Sequence, residues 1–282
     1  MKKHFRFRIK GGELELGKRT LVMGVLNVTP DSFSDGGLYL DKQLAIERAF
    51  EMVEEGADII DIGGESTRPF SDPTSLEEEL RRVIPVIEAI APKIPIPISI
   101  DTYKARVAYE ALQAGAKIVN DISGLRFDPE LAKVISESGA GLILMHIKGT
   151  PKTMQLDPQY DDVIVEIKAY LKESIDKAES EGVHPDSIVI DPGIGFGKRL
   201  NHNLEIFRRL KELEELGKPI LVGPSRKSFI GEILGVPVSD RLYGTLGAVA
   251  YCVLKGVHIV RVHDVRATRH VVDVIDAIES GF

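Results

Sequence analysis

Eight short apolar runs, separated by longer amphipathic stretches, constrain the fold of this 282-residue chain more than any other feature. Each run is apolar nearly throughout, as expected for parallel strands that are buried on both faces of a sheet. The runs are LVMGVLNV (21–28), DIIDIGG (58–64), PISID (97–101), KIVNDI (117–122), GLILMH (141–146), SIVIDPG (187–193), PILVGPS (219–225) and VHIVRVHDV (257–265). Eight strand–helix units predict an α/β fold of the (β/α)8 TIM-barrel type, with a doubly wound open sheet as the alternative.

The stretches between the runs carry helix signals. Residues 41–57 place Leu44, Ala49 and Met52 on one helical face. Ser75, followed three residues later by Glu78, predicts a capping box at the start of another helix. Glycines stand directly after several helical stretches, where a C-terminal cap belongs: Gly56, Gly115, Gly139, Gly182 and Gly217. No linker or low-complexity stretch divides the chain, so residues 1–282 are predicted to form one domain.

The first residues follow a different pattern. Apolar and charged residues alternate in FRFRIK (5–10) and again in ELEL (13–16), with Gly11-Gly12 between them. Alternation of period two around a glycine pair predicts a β-hairpin over about residues 4–17, placed before the barrel.

Composition and charge narrow the classes of function. A net charge of −7 at pH 7 disfavours a nucleic-acid binder, which normally carries an excess of positive charge. No apolar run approaches the roughly 18 residues of a membrane span, and charges interrupt the N-terminal segment as they would not in a signal peptide. The single cysteine, Cys252, excludes an internal disulfide and a multi-cysteine metal site and is expected to be buried. We therefore expect a cytoplasmic protein without a nucleic-acid or membrane partner.

Polar residues stand where the predicted strands end, which in a barrel of this type is the reactive face. They are Asn27, Glu65, Ser66, Thr67, Arg68, Asp101, Asn120, Asp121, His146, Asp191, Ser225, Arg226, Lys227, Ser228, Arg261, His263 and Asp264. Helix capping or turn formation is the alternative role for any one Asp or Ser. Capping does not account for Lys227, Arg261 and His263, because the dipole disfavours cations at a helix start. These long cationic side chains predict an anionic ligand.

The acids and the amide predict the other half of that ligand. Asp101, Asn120 and Asp191 end three different strands, so all three side chains can point into one barrel mouth. An Asp beside an Asn offers acceptors and a donor in a plane, which suits a flat heterocycle that carries an amino group. Lys227 is placed to bond an oxygen or nitrogen of such a ring.

Two long loops follow the first two strands, at 28–41 and 63–75, and both are rich in Gly, Pro, Ser and Asp. Loops of this kind close over active sites, although ordinary surface loops are the alternative. DPGIGFGK (191–198) lacks the spacing of a phosphate-binding glycine loop, so its glycines are interpreted as turn residues. His4, His184, His202 and His270 have no convergent partners and are expected to be surface or structural histidines.

Five motifs, in order along the chain, resemble the dihydropteroate synthase family. They are MGVLNVTPDSFSDGG (23–37), DIGGESTRP (61–69), DPGIGFGK (191–198), GPSRKSF (223–229) and RVHDV (261–265). The resemblance implies a (β/α)8 fold, usually a homodimer, and a transferase of folate biosynthesis. The implied reaction condenses 6-hydroxymethyl-7,8-dihydropterin pyrophosphate with 4-aminobenzoate to give 7,8-dihydropteroate and pyrophosphate, with Mg²⁺ as cofactor. In this family sulfonamides compete with the aminobenzoate.

The resemblance also implies a role for each matching residue. The pterin ring would be held by Asp101, Asn120, Met145, Asp191 and Lys227. The pyrophosphate would be held by Asn27, Thr67, Arg261 and His263, with Asn27 also placing Mg²⁺. The aminobenzoate site would be shaped by Phe33, Thr67, Arg68, Pro69, Phe196, Lys227 and Ser228. Phe70 stands where many relatives carry a small residue, which affects the packing of the second loop and not the chemistry.

We expect Asp191, Lys227, Arg261 and His263 to carry catalysis, by a dissociative substitution that needs no nucleophilic Ser or Cys. Departure of pyrophosphate would leave negative charge beside Arg261 and His263 and positive charge on the ring held by Asp101 and Asp191. Two alternatives remain at this point. A methyltetrahydrofolate–corrinoid methyltransferase would share the Asp and Asn contacts but not the cationic motifs. A non-catalytic pterin-binding protein would be expected to lack one of the charged residues.

Overall fold

A computed structural model describes residues 2–29 and 37–280, of which 37–41 are described by their backbone only. The chain begins with a hairpin of two antiparallel strands, β1 (Phe5–Ile9) and β2 (Gly12–Leu16). Phe5 pairs with Leu16 and Ile9 with Gly12, so the hairpin predicted for about residues 4–17 is confirmed.

Eight further strands alternate with helices along the described chain. The strands are β3 (Leu21–Asn27), β4 (Ile59–Gly63), β5 (Ile98–Asp101), β6 (Ile118–Asp121), β7 (Gly141–Met145), β8 (Ile188–Asp191), β9 (Leu221–Val222) and β10 (Ile259–Val262). The helices are α1 (Gly37–Glu54), α2 (Leu76–Ile90), α3 (Ala105–Ala114), α4 (Leu131–Ser138), α5 (Val163–Ser180), α6 (Leu200–Arg208), α7 (Ser228–Leu234), α8 (Leu242–Leu254) and α9 (Val265–Ser280). Short 3-10 helices lie at Pro185–Ser187, Leu210–Leu216 and Val238–Asp240. Among the helices of this described part, none combines the length and apolar character needed to cross a bilayer.

The eight strands form one parallel sheet in the order β8-β7-β6-β5-β4-β3-β10-β9. A parallel bridge between Ile190 and Ile220 joins β8 to the segment that leads into β9, so the sheet nearly closes on itself. The (β/α)8 barrel is therefore confirmed, and the doubly wound open sheet, which has two free edges, is wrong for this chain.

Successive residues of each strand serve two different cores. Ile60 and Ile62 of β4 pack in a large cluster with residues of the surrounding helices. Ile59 packs instead in a smaller cluster with Phe7 and Leu16 of the hairpin and with one or two residues of other barrel strands. Because side chains alternate along a strand, this smaller cluster is the barrel interior, and the hairpin covers its lower end. The site described below therefore has a solid apolar floor.

The helix starts differ in detail from the sequence expectations. Helix α1 begins at Gly37, four residues before the amphipathic stretch that predicted it. At α2 the Ser75 side chain accepts a hydrogen bond from the Glu78 backbone N–H (3.2 Å), but the Glu78 carboxylate accepts from Arg81 and Arg82. Only half of the predicted capping box forms, because two arginines on the same helix face compete for Glu78. Cys252 is fully buried, as expected.

Candidate active site

Six side chains near the ends of the strands, all of them polar except Met145, stand directly above the apolar layer of the barrel interior. Each lies two residues beyond a buried interior position of its own strand, so it points to the same side of the sheet. The pairs are Ile59 and Asp61, Ser99 and Asp101, Ile118 and Asn120, Ile143 and Met145, Val189 and Asp191, and Ile259 and Arg261. The alternation of the strands thus converts their last residues into one polar layer.

Arg261 crosses this layer and bonds acids from two other strands, β4 and β5. Its Nε donates to Oδ2 of Asp61 (2.6 Å), and its Nη2 donates to Oδ2 of Asp101 (2.6 Å). The Nδ2 of Asn120 donates to the same Oδ2 of Asp61 (3.0 Å). Arg261 was expected to bind the pyrophosphate. In the structure its guanidinium is bonded to Asp101, which was expected at the ring site, and to Asp61, which was not assigned from the sequence.

Burial and the neighbouring charges shift the pKa values of Asp101 and Arg261 in opposite directions. Burial raises the pKa of Asp101, and the adjacent Arg261 opposes the rise. Burial disfavours the charge of Arg261, but Asp61 and Asp101 more than offset it and raise its pKa. Arg261 therefore stays positive throughout the physiological range. Burial, opposed by Arg261 and reinforced by the nearby Asp61, brings the pKa of Asp101 to about 7.

Asp191 and Lys227 form the second charged part of the site. The Oδ1 of Asp191 accepts a hydrogen bond from the backbone N–H of Gly193 (2.7 Å). The Nζ of Lys227 donates to the Ile194 carbonyl and lies 4.7 Å from the centroid of the Phe196 ring. Burial lowers the pKa of Lys227 to about 8, although the negative charge of Asp191 favours its protonated form. Burial likewise raises the pKa of Asp191, and Lys227 opposes this.

His263 lies beside Ser225 at the far side of the same mouth. Its Nδ1 is 2.9 Å from the Ser225 hydroxyl oxygen, which also accepts a hydrogen bond from the His263 backbone N–H (3.2 Å). Burial, reinforced by Arg261 and Arg226, lowers the pKa of His263 to about 4. The positive charge of Arg68 reaches it from the loop after β4. His263 is therefore neutral at pH 7 in this state, and it offers a ligand a hydrogen bond and not a charge.

Apolar side chains line one wall of the site. Met145 and Phe196 pack in a cluster with Ile122, Ile147 and Met154, and Tyr103 and Phe127 lie against it. Flat, polarisable surfaces of this type accommodate an aromatic ring. Met145, expected at the pterin, and Phe196, expected at the aminobenzoate, thus belong to one apolar cluster.

The loop after β4 is fastened at its base by Glu65. The Oε1 of Glu65 accepts from the Tyr103 hydroxyl (2.8 Å), and its Oε2 accepts from the Thr74 backbone N–H (3.2 Å) and from Lys104. Lys104 also donates to the buried Glu79. Beyond this anchor, three residues assigned to the aminobenzoate stand at the surface: Thr67 is half-buried, and Arg68 and Pro69 are exposed.

The remaining predicted residues flank these groups. A Cβ added to Gly63 would lie 3.5 Å from the Cβ of Asp101 and 3.8 Å from Oδ1 of Asn27, so Asn27 and Asp101 are on either side of Gly63. Ser228 is exposed at the first residue of α7, directly after Lys227. Phe33 lies outside the described residues.

Asn27 is the one predicted metal ligand, and its surroundings restrict how an ion can be held. Within residues 2–29 and 37–280, no group of three or more His, Cys, Asp or Glu side chains is arranged to hold a metal ion. Mg²⁺ prefers oxygen ligands and commonly takes only one or two from a protein, completing its shell with waters and substrate phosphates. The Asn27 amide oxygen fits that mode of binding, in which the substrate supplies most of the ligands.

Two further residues contact the candidate site and were not assigned from the sequence. Asp61 is fully buried at the centre of the Arg261 cluster, and its signal was an acid in the middle of an otherwise apolar strand. Lys198 is 2% exposed, and its Nζ lies 2.9 Å from Nδ1 of His146 and donates to the Phe196 carbonyl (2.9 Å). Burial lowers the pKa of Lys198 well below its usual range. This lysine ties the loop that carries Phe196 to the end of β7.

Comparison with known proteins places these residues in a family context. The family model described as pterin binding enzyme matches residues 23–263. A dihydropteroate synthase of Synechocystis sp. is 52% identical over 263 residues, which is 93% of this chain and 91% of that protein.

Solved structures are similar over nearly the whole chain. A Yersinia pestis dihydropteroate synthase in complex with a sulfonamide drug gives a TM-score of 0.93 at 40% identity, with 98% of this chain and 100% of that chain covered. The enzyme of Clostridium difficile, solved in the presence of pteroic acid, gives 0.89 at 50% identity, with 93% and 98% covered. That of Xanthomonas albilineans with 4-aminobenzoic acid gives 0.91 at 41% identity, with 97% and 98% covered.

Proposed function

Since this chain belongs to the family of pterin-binding enzymes, we infer that it condenses 6-hydroxymethyl-7,8-dihydropterin pyrophosphate with 4-aminobenzoate, which is the dihydropteroate synthase reaction. The products are 7,8-dihydropteroate and pyrophosphate, so the enzyme is a transferase of folate biosynthesis. One observation carries the inference: within one barrel mouth, acids suited to an amino-substituted ring are bonded to Arg261, a cation suited to a diphosphate.

The ring half of the substrate binds to the polar layer of the barrel. An ionised carboxylate such as Asp101 or Asp191 accepts two hydrogen bonds from an N–C–NH₂ edge. Asn120 adds a donor and an acceptor, and Lys227 bonds a ring oxygen or nitrogen. Met145 packs on the ring face, which its membership of the apolar wall supports. Arg261 must give up its contact with Asp101 for the ring to bind there.

The diphosphate half binds to Arg261, His263 and Thr67. Arg261 supplies a permanent positive charge. His263 supplies a hydrogen bond through Nε2, because its Nδ1 already lies 2.9 Å from the Ser225 hydroxyl. The negative charge of a diphosphate raises the pKa of His263, so binding and proton uptake reinforce each other. Asn27 is the protein ligand that would hold Mg²⁺, and the ion would supply charge neutralisation for the leaving group.

The reaction is a substitution at the CH₂ group between the ring and the diphosphate. The C–O bond to pyrophosphate breaks, a C–N bond to the arylamine forms, and the amine loses a proton. The cationic groups stabilise the charge that develops on the phosphate oxygens, and Asp101 and Asp191 tolerate positive charge on the ring. Because both kinds of charge are accommodated, we favour a dissociative course in which departure precedes or accompanies attack.

The aminobenzoate binds at the outer part of the mouth. Phe196 presents a ring face with Lys227 above it, which suits a benzoate. Thr67, Arg68 and Pro69 border it from the loop after β4, and Ser228 and Phe33 complete the set. Sulfonamides are proposed to compete for the same place, as analogues of aminobenzoate.

We also propose a homodimer in the cytoplasm. An apolar groove between α6, α7 and α8 is lined by Phe207, Phe229, Ile233, Leu234 and Tyr251. More than half of the surface of Ile233 and Leu234 is exposed. Exposed apolar surface of this kind commonly marks an interface, and a second copy would cover it.

We further propose a single domain over residues 1–282, because Phe7 and Leu16 of the hairpin share a core with the barrel strands.

The test is pyrophosphate release by the purified protein with both substrates and Mg²⁺. We expect turnover by the wild type and a loss of at least about 100-fold in Lys227→Ala and in Asp191→Ala, because each removes a charged group from the ring site. The control is Lys168→Ala, which removes a surface lysine paired with Glu215 on the outside of the barrel. Normal turnover by both site variants would disprove the assignment of the site residues. Binding of the pterin by the wild type without any turnover would disprove the proposed enzymatic activity.

A further inference from the structure

Asp61 occupies a position where a barrel strand would ordinarily place an apolar residue. It stands between Ile59 and Gly63 on the interior side of β4, in register with Ser99 of β5. Its exposure is 0%, and its Oδ1 accepts no hydrogen bond from any described residue. Replacing a buried ion pair by apolar residues of similar volume is often neutral or stabilising. Stability of the barrel therefore does not explain an acid at this position. Its role is inferred instead from the contacts of Oδ2.

The first of these contacts sets the orientation of the Asn120 amide. An ionised carboxylate can only accept hydrogen bonds, so Asn120 must turn its NH₂ group to Asp61 (3.0 Å). The carbonyl oxygen of Asn120 is thereby directed away from Asp61 and remains an acceptor. Without the Asp61 charge, the two orientations of the amide would differ little in energy, and the ring site would present a donor or an acceptor at the same place.

The second contact, from Nε of Arg261 to Asp61, holds Arg261 in place when the substrate ring replaces its bond to Asp101. Asp61 is fully buried, whereas the Asp101 side chain is 10% exposed and belongs to the ring site. A ring that binds Asp101 displaces the Nη2 of Arg261 but has no access to the Nε–Asp61 bond beneath it. The guanidinium then stays in the mouth, with its outer nitrogens released towards the leaving group.

We propose that Asp61 is a positioning residue that holds Asn120 and Arg261 in the arrangement needed to bind the pterin pyrophosphate. This proposal rests on the function inferred above. It assigns Asp61 no contact with the substrate, so its effect must pass through Asn120 and Arg261, which touch the pterin half and the diphosphate.

The test compares Asp61→Asn with Asp58→Asn. Both substitutions remove one charge with almost no change of volume, and both acids bond an arginine. Asp58 directly precedes the same strand, where it accepts from Arg269 (3.1 Å), Arg19 and the Val22 backbone N–H (2.8 Å). A purely structural role would make the two variants behave alike.

We expect Asp61→Asn to raise the KM for pterin pyrophosphate by about 10- to 100-fold, the loss typical of one charge-assisted hydrogen bond. The KM for 4-aminobenzoate should change less than about threefold, because its proposed site does not touch Asn120. Asp58→Asn should lower the midpoint of urea unfolding and leave both KM values unchanged. In combination with Asn120→Ala, the effect of Asp61→Asn should be less than additive, because part of it passes through Asn120.

Three outcomes would overturn the proposal: unchanged KM values in Asp61→Asn, equal losses for both substrates, or full additivity with Asn120→Ala. A crystal structure of the wild type with bound pterin pyrophosphate gives a test that needs no variant. It should show Asp61 still bonded to Nε of Arg261 and Nδ2 of Asn120, with the ring in place of Arg261 on Asp101; departure of Arg261 from Asp61 would contradict us. Inactivity of the wild type would instead disprove the proposed function, so the two failures are distinct.

Discussion

Gly193 allows two parts of the active site to approach more closely than any other residue would permit. Its φ is +68°, in the left-handed region, and a Cβ added there would overlap the backbone carbonyl oxygen of His146. Gly217 has almost the same φ, +66°, but a Cβ added there would meet nothing within 4 Å. The substitutions Gly193→Ala and Gly217→Ala therefore share the backbone cost, and they differ only in the close approach.

The expected difference in stability follows from these two geometries. An L-residue in the left-handed region costs about 1–2 kcal/mol, which applies to both variants. The overlap at Gly193 involves backbone on both sides, so no flexible side chain can give way. Forced overpacking adds typically about 1–3 kcal/mol. We therefore expect the free energy of unfolding of Gly193→Ala, measured in urea, to be lower than that of Gly217→Ala by about 1–3 kcal/mol.

The expected difference in activity follows from what Gly193 touches. Its N–H donates to Asp191 (2.7 Å), and the next carbonyl, that of Ile194, accepts from Lys227. Relief of the overlap must move this segment away from β7 and carry both contacts with it. A displacement of about 1 Å at a reacting site can cost on the order of 100-fold in rate. We expect a loss of that size in kcat/KM for Gly193→Ala and none for Gly217→Ala.

Urea unfolding followed by circular dichroism and steady-state pyrophosphate release are the two assays, each performed on both variants. The reasoning would be refuted if Gly193→Ala were as stable and as active as Gly217→Ala. It would also be refuted by a Gly217→Ala variant that lost activity to the same degree.

Two further predictions concern pH and assembly. Burial lowers the pKa of Lys227 to about 8, so its protonated form is lost above that pH. We therefore expect kcat/KM for pterin pyrophosphate to fall with an apparent pKa near 8. A flat profile from pH 7 to 10 would contradict this. Ile233→Asp should weaken the proposed dimer by at least about 100-fold in sedimentation experiments, because it places a charge in the apolar groove. Val165→Asp on α5 is the matched control, since Val165 is similarly exposed and lies outside that groove, and dissociation of both variants or of neither would count against the interface.

Much of the site was predictable from the sequence because strand alternation is a local property. Asp101, Asn120 and Asp191 end apolar runs, and once a barrel is inferred, the ends of its strands meet at one rim. Their motifs, with those of Lys227 and Arg261, sufficed to indicate the ring and diphosphate chemistry. The expectation that these residues share one mouth needed no knowledge of side-chain contacts.

The partners of these side chains were not predictable in the same way. Arg261 reaches from β10 across β3 to Asp61 and Asp101, and Lys198 turns inward to His146. Each contact joins residues distant along the chain, and it depends on the width of the barrel and on how the side chains pack inside it. Asp61 was overlooked for this reason: as a residue in its strand it is only an acid among apolar neighbours.

The sequence alone determined which residues face the barrel interior and which end of the barrel carries the chemistry, because period-two burial and the order of the strands are written residue by residue. Only the tertiary structure decided the charge states and the pairing. It makes His263 neutral, brings the pKa of Lys227 near 8 and places Arg261 between two acids. Desolvation and Coulomb attraction depend on distances through space, and those distances exist only after the barrel has closed.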